Sequence, residues 1–201
     1  MSSFMDVALR VLRYLLWMLP GMVPALALYL CLFPWRRRRL AARGLRSGRT
    51  REAGLLALLL FSGGLAALTL CPSPSWLYAG LLGYWSPYFG GWALPLAHRV
   101  NLIPFSQGDS LFNFLGNVGM FLPFGLSAAL LWRGWTWRRA LAAGLAITSF
   151  IECWQVLVGR CFDIDDIILN ALGVLCGFLL GRGLAELAPG LAGALCSQEG
   201  E

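Results

Sequence analysis

The sequence predicts an all-α protein, a polytopic bundle of about five transmembrane helices. Three observations lead there. Charged residues make up 13% of the 201, too few to give a soluble domain of this length a polar surface. Runs dominated by Leu, Ala, Gly, Val and Phe recur at the length that crosses hydrocarbon. The basic residues, all arginine apart from His98, gather in two short loops between those runs.

The first span reads as Val11 to Phe33, with Pro20 and Pro24 expected to kink it. The second is Ala53 to Cys71, the third Leu111 to Trp132, the fourth Arg138 to Val158 and the fifth Ile164 to Gly181. No small-x-small cleavage site followed by a hydrophilic domain comes after the first run, so it reads as a retained span. The loop after span one carries Arg36, Arg37, Arg38, Arg39, Arg43, Arg46, Arg49 and Arg51, and the loop after span three carries Arg133, Arg138 and Arg139. With five spans these loops share one side, which the arginine excess makes cytoplasmic. The N-terminus is then expected outside and the C-terminus inside a bacterial inner membrane.

Between spans two and three, Trp76 to Ala97 is apolar but crowded with Pro87, Pro95, Tyr78, Tyr84, Trp85, Tyr88 and Trp92. Aromatics of this kind favour the headgroup level, and a sixth span would put the arginine loops on opposite faces. The segment is therefore expected to be interfacial or re-entrant, with His98 an interfacial residue. The chain divides into an N-terminal span with its arginine loop (1–52), a second span with the aromatic segment (53–98), a core (99–182) and a weakly ordered, Gly/Ala-rich cytoplasmic tail (183–201) with room for one short surface helix.

Net charge is +6, but it sits mostly in one short segment without interleaved aromatics, which argues against nucleic acid as a partner. The arginine loop instead suits anionic membrane lipids. Six cysteines include no CxxC pair, so metal-knuckle and redox-motif readings are weak. Cys71 and Cys161 would both face the oxidising side, which leaves a disulfide between them open.

The chemistry-bearing residues lie in the last three spans. Carboxylates and amides are costly in hydrocarbon and are functional candidates by default. Asn117, Glu152 and Asn170 each fall about 9 Å below the outer end of their spans, and Asp166 about 3 Å below. Three helices thus bring polar groups to one level. Asn113 and Asn117, Glu152 and Gln155, and Asp163, Asp166 and Asn170 keep three- or four-residue spacings, so each set shares a helix face. Arg160, in the connecting loop, is placed to pair with a carboxylate. Asp163 also fits the N-cap of span five, with Asp165 and Asp166 complementing the helix dipole. Asn113 and Asn117 also fit interhelical glue. Gly173, Gly177 and Gly181 form a small-residue stripe for close helix contact.

Four motifs in this order carry a resemblance. They are Asn101-Leu102-Ile103-Pro104-Phe105, the stretch from Asn117 to Gly125 containing Pro123, Glu152-Cys153-Trp154-Gln155, and Gly159 to Gly173 with Arg160, Asp163, Asp166 and Asn170. Over about residues 99–182 the chain resembles the VanZ-like family of bacterial membrane proteins. The resemblance implies a cell-envelope protein; founding members are associated with low-level resistance to teicoplanin-type glycopeptides. It supplies no biochemical activity.

Three functional readings stand at this point. The first is an outer-leaflet site recognising a lipid-linked envelope precursor or another envelope component, bound by Asn101, Asn117, Glu152, Gln155, Arg160, Asp163, Asp166 and Asn170. Here Arg160 would contact an anionic group. The second is an intramembrane hydrolase or transferase on a lipid-linked phosphate or sugar, with Glu152 and Asp166 as an acid/base pair or as oxygen ligands of a divalent cation. No HExxH or serine elbow supports it, and no cofactor is expected. The third is an ion-coupled transporter, disfavoured by the lack of an internal repeat.

Overall fold

The computed structural model describes residues 2–71, 99–105, 111–196 and 198–199. The aromatic stretch 76–97 and His98 lie outside the described residues. Five long apolar helices account for most of the chain: α1 (Ser2–Ala41), α2 (Arg49–Leu70), α3 (Leu111–Leu131), α4 (Trp137–Leu157) and α5 (Ile164–Leu187). All five have the length and composition to cross a membrane. A short α6 (Pro189–Leu195) follows. Four two-residue strands, β1 (Leu45–Arg46), β2 (Val100–Asn101), β3 (Phe162–Asp163) and β4 (Gln198–Glu199), form an antiparallel β1–β4 pair and a parallel β2–β3 pair.

The helices pack as two layers of contact, and glycine sets both. In α3 and α5 the backbones nearly touch. A Cβ on Gly125 would lie 1.9 Å from the Val174 carbonyl oxygen, and one on Gly177 2.0 Å from that of Leu122. The expected stripe of Gly173, Gly177 and Gly181 is the α5 side of this seam, with Val118, Leu122 and Leu126 opposite. In hydrocarbon, where helix association gains nothing from leaving water, such close approach is the main source of packing energy. The pair α1–α2 repeats the device: a Cβ on Gly21 would fall 2.0 Å from the Gly63 carbonyl oxygen. Phe121, Val174 and Phe178 on the seam join Leu65 of α2 and Ile151 of α4 in the core.

Helix boundaries follow local chemistry. Thr136 caps α4 by accepting from the Arg139 N–H, and Asp163 caps α5 by accepting from the Asp165 N–H. Gly159, at φ 83°, turns the chain between them in the left-handed region that glycine enters freely. The first span is longer than expected: α1 runs unbroken through Pro20, Pro24 and Pro34. Its exposed face, from Met5 to Leu32, suits a lipid surround rather than a protein one.

The C-terminal tail carries the one short surface helix its sequence leaves room for: α5 continues to Leu187, and α6, with no buried residue, folds back beside the start of α2. Leu195 reaches the space beside Gly54, Cys196 is buried with its Sγ 3.3 Å from the Leu130 carbonyl oxygen, and β4 pairs with β1. Small residues at Gly54 and along 188–194 allow this docking, which a hydropathy reading does not register. Cys71 and Cys161 are both free thiols.

Candidate functional site: a carboxylate and amide cluster at the helix ends

The end of the bundle away from the arginine loop is built around the α4–α5 turn. There β3 pairs in parallel with β2, with Val100 opposite Phe162 and Asn101 opposite Asp163. The Phe162 N–H donates to the Arg99 carbonyl oxygen (2.7 Å), and the Arg99 Nη1 donates to the Val156 carbonyl oxygen (2.9 Å). A segment about 60 residues away in sequence is thereby tied to the ends of two spans.

Side chains complete the tie. The Asp163 carboxylate accepts from Asn101 Nδ2 (3.1 Å) and from the Asp165 N–H (3.0 Å). The Asp163 N–H donates to Glu152 Oε2 (3.1 Å). Asp165 takes the Phe105 N–H on both oxygens, at 2.8 and 3.0 Å. Asn117 of α3 donates through Nδ2 to Asp166 Oδ1 of α5. One turn deeper, Asn170 Nδ2 donates to Thr148 Oγ1 of α4 (2.8 Å). Glu152 and Asp165 are each 1% exposed, so the cluster is an interior one, as costly polar groups in a membrane require.

The structure therefore joins Asn101, Glu152 and Asp163 by hydrogen bonds, Asn117 to Asp166 across α3 and α5, and Asn170 to Thr148 across α5 and α4. Gln155 is buried on the same helix face as Glu152, and its carbonyl oxygen accepts from the Arg160 N–H (2.8 Å). Asn113, one turn from Asn117, is exposed. Asp163 is the N-cap of α5 and a cluster member at once, so the two readings of it do not compete.

Arg160 lies close enough to Glu152 for their charges to interact, and its guanidinium is also engaged on α2. Its Nη1 donates to the carbonyl oxygens of Leu68 (3.1 Å) and Thr69 (3.2 Å), and Trp154 Nε1 donates to that of Leu70 (2.8 Å). The last turn of a helix has no intrahelical partners for its carbonyls, and a guanidinium satisfies them while meeting the negative end of the helix dipole. Arg160 thus caps α2; at the other end of the bundle Arg36 and Glu52 form an ion pair.

Thr148 and Arg99 belong to the cluster but were not singled out, and Asp165, read from the sequence as complementing the helix dipole, joins them through the Phe105 N–H. Thr148 lies four residues before Glu152 and so on its face, a signal the spacing carried. Asp165 lies off the face shared by Asp163, Asp166 and Asn170; it turns instead toward the 101–105 loop. Nothing local marks Arg99. Among the described residues, no three His, Cys, Asp or Glu side chains group closely enough to hold a metal ion.

Five spans and a buried carboxylate and amide cluster at one end define a multi-pass membrane protein with a polar site at the helix ends. The VanZ/LLP1 family model matches residues 25–185, and the chain belongs to that family. The match takes in the C-terminal part of the first span and all of the second, which the resemblance over residues 99–182 left out. No curated protein and no solved structure matches the chain.

Proposed function

We propose that this chain is a bacterial inner-membrane protein that recognises a polar envelope component, of the lipid-linked kind, at the outer leaflet. The arginines beside α1, α2, α3 and α4 support a cytoplasmic position for that end of the bundle, with the N-terminus outside. The carboxylate and amide cluster then lies at the outer surface. One observation carries the reading: hydrogen bonds pair Asn117 with Asp166 and Glu152 with the Asp163 N–H across the ends of three helices, beside a loop whose Leu102, Ile103 and Phe105 are exposed. Apolar loop side chains seat in the acyl boundary, and the groups behind them meet a headgroup's hydroxyls and amides. The Asn170 Oδ1 is buried without a hydrogen-bond partner, an acceptor suited to a donor from a sugar or amide. With Arg160 engaged on α2, recognition rests on the amides and carboxylates rather than on a guanidinium clamp. The family's glycopeptide association makes teicoplanin sensitivity the natural readout.

The test compares bacteria carrying the wild-type chain with carriers of Glu152→Gln, Asp166→Asn or Asn170→Leu, each checked for membrane accumulation. Raised teicoplanin sensitivity, or another envelope defect, is expected from all three. Unchanged envelope behaviour in variants that accumulate normally would overturn the reading.

A further inference from the structure

At the opposite end of the bundle, a cavity of about 590 Å³ opens between α1 and the start of α2. Tyr29, Phe33, Arg37, Ser47, Arg49 and Glu52 line it. Its polar groups are only partly engaged. Glu52 Oε2 accepts from Tyr29 Oη (2.7 Å) and from Arg36 Nη2, and the Ser47 hydroxyl also acts on the carboxylate, whereas Glu52 Oε1 is buried with no hydrogen bond of good geometry. Behind the cavity, Arg51 is 8% exposed; its Nη1 donates to Ser47 Oγ (3.2 Å), while its Nε is buried and unmatched. Arg37 and Arg49 are exposed at the mouth, Arg37 lying 5.6 Å from the Phe33 ring.

This combination specifies a ligand. Two open guanidiniums recognise a phosphate. A buried carboxylate oxygen without a well-placed donor calls for one, a hydroxyl or an ammonium, because a buried acceptor left unmade is costly. The apolar wall continues away from the cavity along α1 through Leu30 (61% exposed) and Leu26 (42% exposed), four residues apart on one face. Since α1 is long and apolar enough to cross a membrane and its arginine run begins at Arg36, a span ending at those arginines would set the cavity at headgroup level and that strip against acyl chains.

We propose that this cavity is a binding site for an anionic glycerophospholipid whose headgroup keeps a hydrogen-bond donor. Its phosphate is held by Arg37 and Arg49, its headgroup hydroxyl donates to Glu52 Oε1, and an acyl chain lies along Leu30 and Leu26. The site is separate from the carboxylate and amide cluster and does not depend on its function.

The experiment titrates the purified full chain in detergent with phosphatidylglycerol or phosphatidylcholine, reading bound lipid by native mass spectrometry. Phosphatidylglycerol should bind about tenfold tighter, since phosphatidylcholine carries no net charge and no donor. The double variant Arg37→Gln/Arg49→Gln should weaken phosphatidylglycerol by about 30-fold, while Arg38→Gln/Arg39→Gln, the same charge change outside the cavity, should cost at most about threefold. If the first double variant is not monodisperse, Arg49→Gln alone should still cost about fivefold. Equal losses in the two double variants would reduce the effect to general surface charge and overturn the proposal. So would equal binding of the two lipids. Displacement of lipid by glycerol phosphate at matching concentration would overturn it as well, in favour of a soluble phosphate ligand.

Discussion

Asp165 holds Phe105 in a backbone conformation that a bulky side chain rarely adopts. Phe105 has φ 55°, and such a residue costs of order 1–3 kcal/mol unless its surroundings fix it. Two contacts from its N–H to the Asp165 carboxylate supply that fixation. Asp165→Ala should therefore destabilise the protein by about 2–3 kcal/mol, the range for a lost bond to a charged acceptor. It should also speed amide exchange at Phe105, with denaturant unfolding in detergent and hydrogen exchange as the readouts. Protection at Phe105 equal to that of the parent would show that the loop is held by something else. The sequence marked Asp163, Asp166 and Asn170 by their spacing, because helical periodicity is local. It gave no sign that Asp165 reaches residues 60 positions earlier, because that contact depends on how β2 docks on β3. Arg160 illustrates the same limit: its place beside Glu152 could be read from the loop, but its hydrogen bonds to the end of α2 could not.

At the scale of elements, the α3–α5 seam makes a sharp prediction. Alanine is normally better than glycine in a helix by about 1 kcal/mol. At Gly183 of α5, where an added Cβ would meet nothing within 4 Å, Gly183→Ala should raise the melting temperature slightly or leave it unchanged. At Gly177 the same change puts Cβ 2.0 Å from a backbone oxygen that cannot move aside alone. Gly177→Ala should cost about 1–3 kcal/mol through forced separation of the helices, visible as a lower midpoint in the same thermal scan. A matched pair that melts together would refute the seam. The five spans and this stripe were legible from hydropathy and spacing, since both are properties of single segments. The partner of the stripe was not, because the choice of α3 over α2 or α4 rests on the complementary gap at Gly125 and on surfaces no single segment reveals.

On the scale of the whole molecule, the docked tail joins the first two helices to the last three. A chain ending at Leu187 loses α6, the β4 strand and the burial of Cys196. Trypsin should then cut faster at Arg43 and Arg46, whose segment pairs with β4 in the intact chain, and gel analysis of a time course would show it. Equal cutting rates would mean the tail does not restrain that turn. This long-range closure was invisible in a Gly/Ala-rich tail, since small residues signal weak order and tight docking alike. The bundle is also unevenly joined. Helices α3 and α5 interlock through their main chains, whereas α4 meets α5 by side-chain contacts: Gly144 against Val174, Thr148 to Asn170, and Glu152 to the Asp163 N–H. Rigidity is accordingly uneven. The pair welded at its glycines is the stiffer jaw, and the proposed headgroup site would open at the least cost by tilting α4, the helix that carries Glu152.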